Sequence, residues 1–476
     1  MTRAEFQTIY DQGPDAVYAL LTTLQEQIVA LKAEVKDLRD RLDKDSHNSS
    51  KPPSSDGLAK KPVSLRSKTG RKPGGQKGHP GRTLAWVENP DAVLTHTPPC
   101  CAGCGTTLAG VEGVDVARRQ VLDLPPLALL ATEHRVQKKV CPQCGQETVA
   151  TFPSEVSHRV LYGPRLKALG VYLLDFQLLP YQRIAALFAD LFGASFSAGT
   201  LFCCQQAASK RLSGVLACLR QGLIHAPVAH FDETGLRVGG RLHWLHSAST
   251  NTLTYYAWHR SRGKVGMDSA GVLPHFTGRA VHDGWSSYAR YGCDHALCNA
   301  HHLRELTALY EQEGQEWAQK MRSLLVEIKH AVERAKEQGE KRLHPLLEAR
   351  LEGRYRKLIK QGYAANPPPR PIPGQKGRQK QNQARNLLDR LHQFQRETLA
   401  FMYDFAVPFD NNLAERDVRM MKVKQKVSGC FRTAAGTDAF CPLRSYISTL
   451  RKQGQSVLFA LEHVFRGVPI YPLCEG

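Results

Sequence analysis

Two acidic residues follow short apolar segments in a pattern that suits metal-dependent chemistry. In residues 227–236 (PVAHFDETGL), apolar residues lead to Asp232, and Gly235 predicts a turn just after it. In residues 279–285 (RAVHDGW), the same pattern leads to Asp283. Because an unpaired buried charge is costly, both acids are expected where a strand ends and the backbone opens to solvent or to a bound cation. A lone acid at a strand end is usually a turn residue, but two that face one another predict a divalent-metal site for phosphoryl chemistry.

A third candidate, Glu415, lies in the segment FDNNLAERDVRMMKVKQK, which has helical spacing. Two structural explanations compete with a chemical role. Asn412 could cap the helix and place Glu415 in a capping box, or Glu415 could pair with Arg419. However, Arg419 and Lys422 lie on the same predicted face as Glu415. A carboxylate among basic residues suits a metal ligand next to a DNA backbone, with Arg419 and Lys422 contacting phosphate.

The composition favours an anionic polymer, and DNA first, as the partner. The 476 residues carry a net charge of +20, and from residue 51 to 82 nine Lys or Arg accompany one acid. This segment is rich in Pro, Gly and Ser and is predicted to be a flexible basic linker. Its candidate DNA contacts are Arg71, Lys72, Lys77 and Arg82. They could enter a minor groove, but we favour a tether that makes nonspecific contact with phosphates.

The sequence contains neither a stretch of about 18 apolar residues nor the apolar core of a signal peptide near its first residues. We therefore expect no membrane association and a cytoplasmic, nucleoid-associated protein. In that reducing compartment the thirteen cysteines are predicted to be thiols or metal ligands and not a disulfide scaffold.

Four of the cysteines form two CxxCG sequences, Cys101 with Cys104 and Cys141 with Cys144. Each pair is typical of a knuckle that presents two thiolates to one tetrahedral Zn²⁺. The gap between the pairs is longer than in most zinc ribbons, and a strand at residues 118–124 is predicted to fill it. Because a four-cysteine site leaves no open coordination position, this zinc is expected to be structural.

Two helical segments could serve assembly or DNA binding. Apolar residues recur at spacings of four and three at Val17, Leu21, Leu24, Ile28, Leu31, Val35, Leu38 and Leu42. This heptad pattern predicts a coiled coil that makes the protein a homodimer or higher oligomer, the alternative being one amphipathic helix packed on its own domain. Residues 183–201 have the helix, Gly-containing turn and Ser-started helix of a helix-turn-helix, which is also an ordinary packing unit.

The strands that position the two aspartates follow a recognisable order. Residues 242–247 and 253–258 are predicted to form strands two and three. Asp232 would then close the first strand and Asp283 the fourth. This order, with acids at those two places, is the ribonuclease-H-like plan.

The segment after Asp283 offers further polar residues. The spacing of Cys293, Cys298 and His301 matches no metal-ligand set, so Cys298 and His301 are predicted to form a wall of the acidic site, with His301 within reach of a phosphate. Residues 311–400 are highly charged and mostly helical, broken by a basic Pro-rich loop. They are predicted to be either an insertion that lies over bound DNA or a solvated spacer.

Several sequences occur in one order from the N-terminal helix to about residue 454: HNSSKPPSSDG, GGQKGHPGRTL, the two CxxCG knuckles, YGPRLKAL, DETGLRV, HDGWSSY, CNAHHLREL, DNNLAERDVR and SGCFRTAAG. Together they resemble the insertion-sequence-sixty-six family of transposases, a branch of the DDE transposases. The resemblance covers nearly the whole chain, and it is the order and coverage of the sequences that carry it.

The resemblance implies a ribonuclease-H-like core in which Asp232, Asp283 and Glu415 are a DDE triad that binds Mg²⁺ or Mn²⁺. It implies that a helical insertion separates Asp283 from Glu415, and that CNAH is the Cys-x-x-His element of some branches. The implied activity is cleavage at the element's ends, followed by attack of the 3′-OH on target DNA. Accessory proteins encoded by the same element are further expected partners.

The predicted fold is a multidomain α/β chain. Its segments are 1–45, an oligomerisation helix; 46–90, the basic linker; 91–155, the zinc ribbon; 156–224, a helical DNA-binding domain; 225–310, the first part of the catalytic core; 311–405, the helical insertion; 406–456, the last part of the core with Glu415; and 457–476, a C-terminal tail. Two other functions fit the same features: a zinc-ribbon DNA-binding regulator with an inactive core, and a nuclease of the same fold.

Overall fold

The computed structural model describes residues 2–42, 84–368 and 381–474. The described chain has a mixed α/β fold, in which helices surround a five-stranded sheet. The candidate DNA contacts Arg71, Lys72, Lys77 and Arg82 lie outside the described residues, as does most of the Pro-rich loop.

The N-terminal part contains two helices, α1 (Arg3–Tyr10) and α2 (Pro14–Leu42). Except for Val17, the apolar heptad positions of α2, among them Leu24 and Ile28, are exposed in the single chain. The ribbon segment contains an antiparallel hairpin of β1 (Lys138–Val140) and β2 (Glu147–Val149). The prediction of a strand at residues 118–124 was wrong: this segment has no regular secondary structure and is largely exposed, because no neighbouring strand pairs with it.

Four helices precede the sheet: α3 (Pro164–Val171), which a π-helical turn (Tyr172–Phe176) extends, α4 (Tyr181–Phe192), α5 (Ala198–Arg211) and α6 (Ser213–Ile224). Helix α4 ends at Gly193 in the left-handed conformation, and Ser197 caps α5 by accepting a 3.1 Å hydrogen bond from the Thr200 N–H. The helix-turn-helix connection predicted there is present. Its buried side chains pack into the core beneath the sheet.

The sheet has the order β5-β4-β3-β6-β7. Its strands are β3 (Val228–Val238), β4 (Arg241–Ser249), β5 (Thr254–His259), β6 (Arg279–His282) and β7 (Asp294–Leu297). The first three pair antiparallel, whereas β6 runs parallel to β3 and β7 parallel to β6. The two strands predicted after Asp232 are confirmed as β4 and β5.

The prediction that the first strand ends at Asp232 was wrong. β3 continues to Val238, and its turn into β4 is made by Gly239 and Gly240, whose φ angles of 55° and 78° suit a tight hairpin. Gly235 lies inside the strand, opposite Trp244. The acid is tolerated because β6 pairs with β3 only up to His230, so from Asp232 until the bridge of Val238 to Phe431 one edge of β3 has no partner strand.

Alternation along β3 places Asp232 on a defined face of the sheet, since successive side chains point to opposite faces. Ala229 and Phe231 pack into the core formed with α3–α6 and the last two helices. Val228 instead packs against the core of the helical insertion on the other face, which is therefore also the face of His230 and Asp232.

The insertion consists of helices with a core of their own. They follow α7 (Lys264–Ser269) and are α8 (Asn299–Glu313), α9 (Glu316–Glu337), α10 (Pro345–Ala365), α11 (Gln383–Gln393), α12 (Gln395–Thr398) and α13 (Ala400–Tyr403). Val281 and Ala296 of the sheet belong to this core, so the insertion packs directly on β6 and β7.

Three helices complete the chain: α14 (Asn412–Ser428), α15 (Ala434–Lys452) and α16 (Val457–Phe465). α14 lies across the far half of β3, where Leu236 and Val238 pack with Met421. The predicted tail contains α16, which packs on α3. Beyond it, Cys474 forms a disulfide with Cys218 of α6, a departure from the expectation that all cysteines are thiols or metal ligands.

Candidate active site

Asp232 and Asp283 lie at the same level on two adjacent strands. The parallel register of β3 and β6 pairs Val228 with Arg279 and His230 with Val281, and each aspartate follows two residues after that last pair. Adjacent strands are about 4.8 Å apart. At the carboxyl end of β6 the two acids are therefore near enough for the charge of Asp283 to act on Asp232.

Glu415 lies in the first turn of α14, near enough to Asp283 for the charge of that aspartate to act on it. The capping residue of this helix is Asn411, not Asn412, and its side chain makes no cap, so the capping-box explanation of Glu415 is wrong. Asn411 instead bridges elements: its Oδ1 lies 2.8 Å from His230 Nδ1, and its Nδ2 donates to the Phe231 carbonyl at 2.8 Å. These bonds fix the start of α14 beside β3.

A second set of hydrogen bonds joins α14 to β4, β5 and α15. One oxygen of Asp417 accepts hydrogen bonds from Lys452 Nζ of α15 at 2.7 Å and from Ser249 Oγ of β4 at 2.6 Å. The Asp417 carbonyl also accepts from the Tyr256 hydroxyl at 2.9 Å. Asp417 was not singled out from the sequence, because an acid in a charged helix usually faces solvent.

The three acids interact electrostatically. Burial raises the pKa of Asp232 well above its usual range, and the charges of Glu233, Asp283 and Glu415 raise it further. Burial also raises the pKa of Glu415, with a contribution from Asp283, while the charges of Arg304 and Arg419 act in the opposite direction. A group of acids that oppose one another's ionisation favours a cation among them.

Glu415 has unused hydrogen-bonding capacity. Its Oε1 is buried and has no hydrogen-bond partner among the described residues. Within that part of the chain Glu415 forms no ion pair with Arg419, so the alternative that Glu415 simply pairs with Arg419 is also wrong. Arg419 is exposed, and its charge acts on Glu415 only through space. Lys422, the other expected phosphate contact, donates from Nζ to the Gly235 carbonyl at 2.8 Å.

Glu233, next to Asp232, points to the opposite face and is held there. Its Oε1 accepts from Arg262, with Nη2 at 2.8 Å, and its Oε2 accepts from the Tyr288 hydroxyl at 2.6 Å. The Arg262 guanidinium in turn lies 4.2 Å from the ring centroid of Trp285 and 4.9 Å from that of Trp244. This basic and aromatic group borders the acids. This group could not be predicted from the sequence, in which the only indication was that Glu233 is adjacent to Asp232.

His301 and Cys298 lie beside Glu415. Cys298 precedes α8 and His301 stands one turn later, so both side chains project from the same end of the helix. Burial raises the pKa of the Cys298 thiol to about 12 and lowers that of His301 to about 4. Of the described residues, these two and Glu415 are the one group of metal-binding types whose ligand atoms all lie within 4.8 Å of one another. Cys293 is not part of it.

The two CxxCG knuckles have matching turns. The Cys101 N–H donates to the Thr106 carbonyl at 2.8 Å, and the Cys141 N–H to the Gln146 carbonyl at 2.9 Å. Gly105 and Gly145 follow with φ of 75° and 70°. The side chains of Cys101 and Cys104 are in hydrogen-bond contact, as are those of Cys141 and Cys144. Within the described chain no three of the four sulfurs lie within 4.8 Å of one another, so the two pairs are not joined.

Comparison with protein families decides the identity of the catalytic-looking part. Residues 159–439 match the family model described as Transposase IS66 family, and this is more than half of the 476 residues. The chain belongs to the IS66 transposase family. The match spans Asp232, Asp283 and Glu415 together with the insertion between them.

Two further models match the N-terminal part of this IS66 transposase family member. Residues 98–145, which contain both knuckles, match the zinc-finger binding domain of transposase IS66, and residues 3–85 match a family of unknown function. The zinc finger supports structural Zn²⁺, and transposase membership implies DNA as partner. No curated protein matches the chain. In the described residues, no helix is both long and apolar enough to span a bilayer.

Proposed function

We propose that this IS66 family member is an active DNA transposase that cleaves DNA at the ends of its element and joins the released 3′-OH to target DNA. The core is proposed to be ribonuclease-H-like, a plan supported by the order β5-β4-β3-β6-β7 with one antiparallel and one parallel half. Asp232, Asp283 and Glu415 are proposed as the catalytic triad. The observation that carries the proposal is electrostatic: the charges of Asp283 and Glu415 raise the pKa of Asp232, and the charge of Asp283 raises that of Glu415. In the described structure the three carboxylates do not all lie within 4.8 Å of one another, so a bound cation would have to draw them together.

The three acids fit Mg²⁺ or Mn²⁺. All three offer carboxylate oxygens, the ligand type that these ions prefer, and the buried Glu415 Oε1 has no partner in the described structure. Asp232 and Asp283 are part exposed, so a cation could enter from solvent. A bound divalent ion would supply activation of a water or 3′-OH nucleophile and stabilisation of the leaving oxygen.

The remaining residues of the site are proposed to orient DNA. Arg419 is exposed on the outer side of α14 and can neutralise a phosphate. Lys422 would have to release the Gly235 carbonyl to do the same. His301 is a neutral imidazole at the pH of the reaction, because burial lowers its pKa to about 4, so it can donate a hydrogen bond to phosphate but does not carry charge.

The N-terminal segments are proposed to assemble the complex. Four-cysteine zinc binding would draw the two knuckles into one ribbon. The exposed apolar seam of α2 supports self-association as a coiled coil, which would bring two DNA ends together. The basic linker, with Arg71, Lys72, Lys77 and Arg82, would contribute nonspecific phosphate contact.

A strand-transfer assay tests the proposal. Purified full-length chain is incubated with a labelled element end and supercoiled plasmid, in Mg²⁺ or in EDTA. The expected result is metal-dependent joined product, which Asp232→Asn, Asp283→Asn or Glu415→Gln reduces by at least about a hundred-fold, since each removes a metal ligand. Asp294→Asn is the matched control, because this exposed acid starts β7 outside the triad.

The other outcomes separate the rival functions. DNA binding with neither cleavage nor joining would overturn the proposal in favour of a regulator. Metal-dependent cleavage that never yields joined product, even with the element's accessory proteins added, would favour a nuclease. Wild-type rates in one of the three variants would remove that residue from the triad.

A further inference from the structure

Cys298, His301 and Glu415 bring three different metal-binding groups together. Their ligand atoms, a thiol sulfur, an imidazole nitrogen and a carboxylate oxygen, all lie within 4.8 Å of one another. Cys298 and His301 are three positions apart at the start of α8, a spacing that places both on one side of the helix. Glu415 comes from α14, far along the chain.

The cluster is built into the fold. The Asn411 N–H donates to Cys298 Sγ at 3.1 Å, and the same residue is bonded through its side chain to the Phe231 carbonyl. The Asn299 N–H also donates to the Phe409 carbonyl at 3.1 Å. Two hydrogen bonds thus join the start of α8 to the segment that leads into α14, and they limit the movement of the three ligands.

Two atoms of the cluster lack partners. His301 Nδ1 and Glu415 Oε1 are both buried without a hydrogen bond to any described residue. Such groups are rare in proteins, because an unsatisfied buried polar atom costs about 1–3 kcal/mol. A cation bound between them would satisfy both at once.

The chemistry of the donors selects the ion. Thiolate and imidazole favour Zn²⁺, whereas Mg²⁺ prefers oxygen ligands only. Zinc bonds of 2.0–2.3 Å give ligand separations of roughly 3.3–3.8 Å in a tetrahedron, so atoms within 4.8 Å need to shift by only about 1 Å. Binding would release the Cys298 proton to solvent.

We propose that Cys298, His301 and Glu415 form a second zinc site, distinct from the four-cysteine ribbon, that removes Glu415 from the carboxylate group. The ion has three protein ligands and an open fourth position. Resting on the proposed function, zinc at this site opposes Mg²⁺-dependent cleavage, because one carboxylate cannot complete both sites. The protein would then be restrained by zinc until the ion is withdrawn.

Metal stoichiometry tests the site without DNA. The full-length chain is stripped of metal and titrated with Zn²⁺ alone, and in parallel with Co²⁺, whose thiolate charge-transfer and visible bands report cysteine ligation. Two equivalents per chain are expected for wild type, and one for Cys298→Ala, for His301→Gln and for Glu415→Gln. Cys141→Ser should also bind one equivalent, with a cobalt spectrum of a single thiolate. Cys441→Ala, which removes a buried thiol of α15, is the matched control and should retain two.

Several results would overturn the site. Binding of only one equivalent of Zn²⁺ by the wild type would overturn it. So would binding of two equivalents by His301→Gln and Glu415→Gln, provided that circular dichroism shows a native fold. These two variants are used because Cys298 is buried and its replacement alone could disturb folding. A cobalt spectrum of Cys141→Ser without any thiolate band would exclude Cys298 as a ligand.

Zinc sensitivity of the reaction tests the consequence. In the Mg²⁺ assay, Zn²⁺ in molar excess over the protein should lower the rate of the wild type at least ten-fold. In Cys298→Ser the ratio of the rates with and without Zn²⁺ should move towards one. Equal ratios in the two proteins would overturn the competition. If the wild type cleaves no DNA at all, the proposed function fails, while the titration still decides the zinc site.

Discussion

The buried carboxylate of Asp175, which lies between the helices before the sheet and those after it, predicts a pH dependence of the protein's stability. Its carboxylate is fully buried in the π-helical turn that follows α3, where Oδ1 accepts a 2.6 Å hydrogen bond from Gln205 of α5. Oδ2 has no partner among the described residues. Burial raises the pKa of Asp175 to about 7, although the bond from Gln205 and the charges of Lys424 and Arg444 act in the opposite direction.

The sign of the resulting pH dependence follows from proton linkage. In the unfolded chain an aspartate has a pKa of about 4. Between about pH 4 and pH 7 the folded chain keeps a proton that the unfolded chain has released, so the free energy of unfolding falls as the pH rises and levels off above the folded pKa. At about 1.4 kcal/mol per unit, the whole loss is about 4 kcal/mol, of which about 3 kcal/mol falls between pH 5 and pH 8.

Asp175→Asn should remove this loss. The amide is neutral at every pH, keeps an acceptor for Gln205 and places a donor where Oδ2 is unpaired. Thermal unfolding is measured for both proteins from about pH 5 to pH 8. The Tm of the variant should rise relative to wild type by roughly 5–10 °C over that range.

The control is Asp190→Asn, which changes an exposed aspartate of α4 and should leave the pH dependence unaltered. Parallel pH curves for wild type and Asp175→Asn would refute the reasoning, because they would mean that the buried carboxylate does not titrate in this range. A variant that is less stable at pH 8 would show that its charge is compensated by Lys424 and Arg444 more fully than burial opposes it.

Two further predictions concern a part-buried ion pair and the ribbon. Lys452→Ala leaves the part-buried Asp417 without its cation and should lower the free energy of unfolding by about 3 kcal/mol in a denaturant titration. Lys264→Ala, at a more exposed ion pair, should lower it by less than about 1 kcal/mol. Equal losses in the two variants would contradict this prediction. Cys141→Ser should lose the zinc of the ribbon and make residues 84–160 sensitive to protease while the Tm of the core stays unchanged. An unaltered digestion pattern would speak against a structural zinc there.

The strands could be predicted from sequence more readily than their ends. Alternation located β4 and β5, and the short apolar run located β6 with Asp283 directly after it. The length of β3 could not be predicted in the same way. It depends on β4, which pairs with β3 as far as Val238, whereas β6 stops opposite His230. An acid followed three residues later by a glycine therefore suggested a turn, where the structure has a strand with one open edge.

Long-range contacts also explain what was missed around Glu415. Local rules assigned a cap to Asn412, but the residue before the helix is Asn411, whose side chain is used by His230 and by the β3 backbone. The same limit applies to Cys298 and His301. Their spacing to Cys293 matches no metal site, and the third ligand is Glu415, which a sequence pattern cannot place beside them.

The position of Glu415 depends on contacts from nearly every part of the core. Asn411 joins the start of α14 to β3 and to α8, Asp417 joins it to β4 and α15, and Lys422 joins it to the β3 backbone beyond Asp232. α8 comes before α14 in the chain and begins the insertion, whereas α15 comes after it, so the position of Glu415 depends on contacts with both the insertion and the C-terminal helices. Asp232 and Asp283 need only the register of β3 and β6. The placement of Glu415 therefore depends on more long-range contacts than that of either aspartate, and the proposed zinc ligands Cys298 and His301 lie at one of them, the junction of α8 with α14.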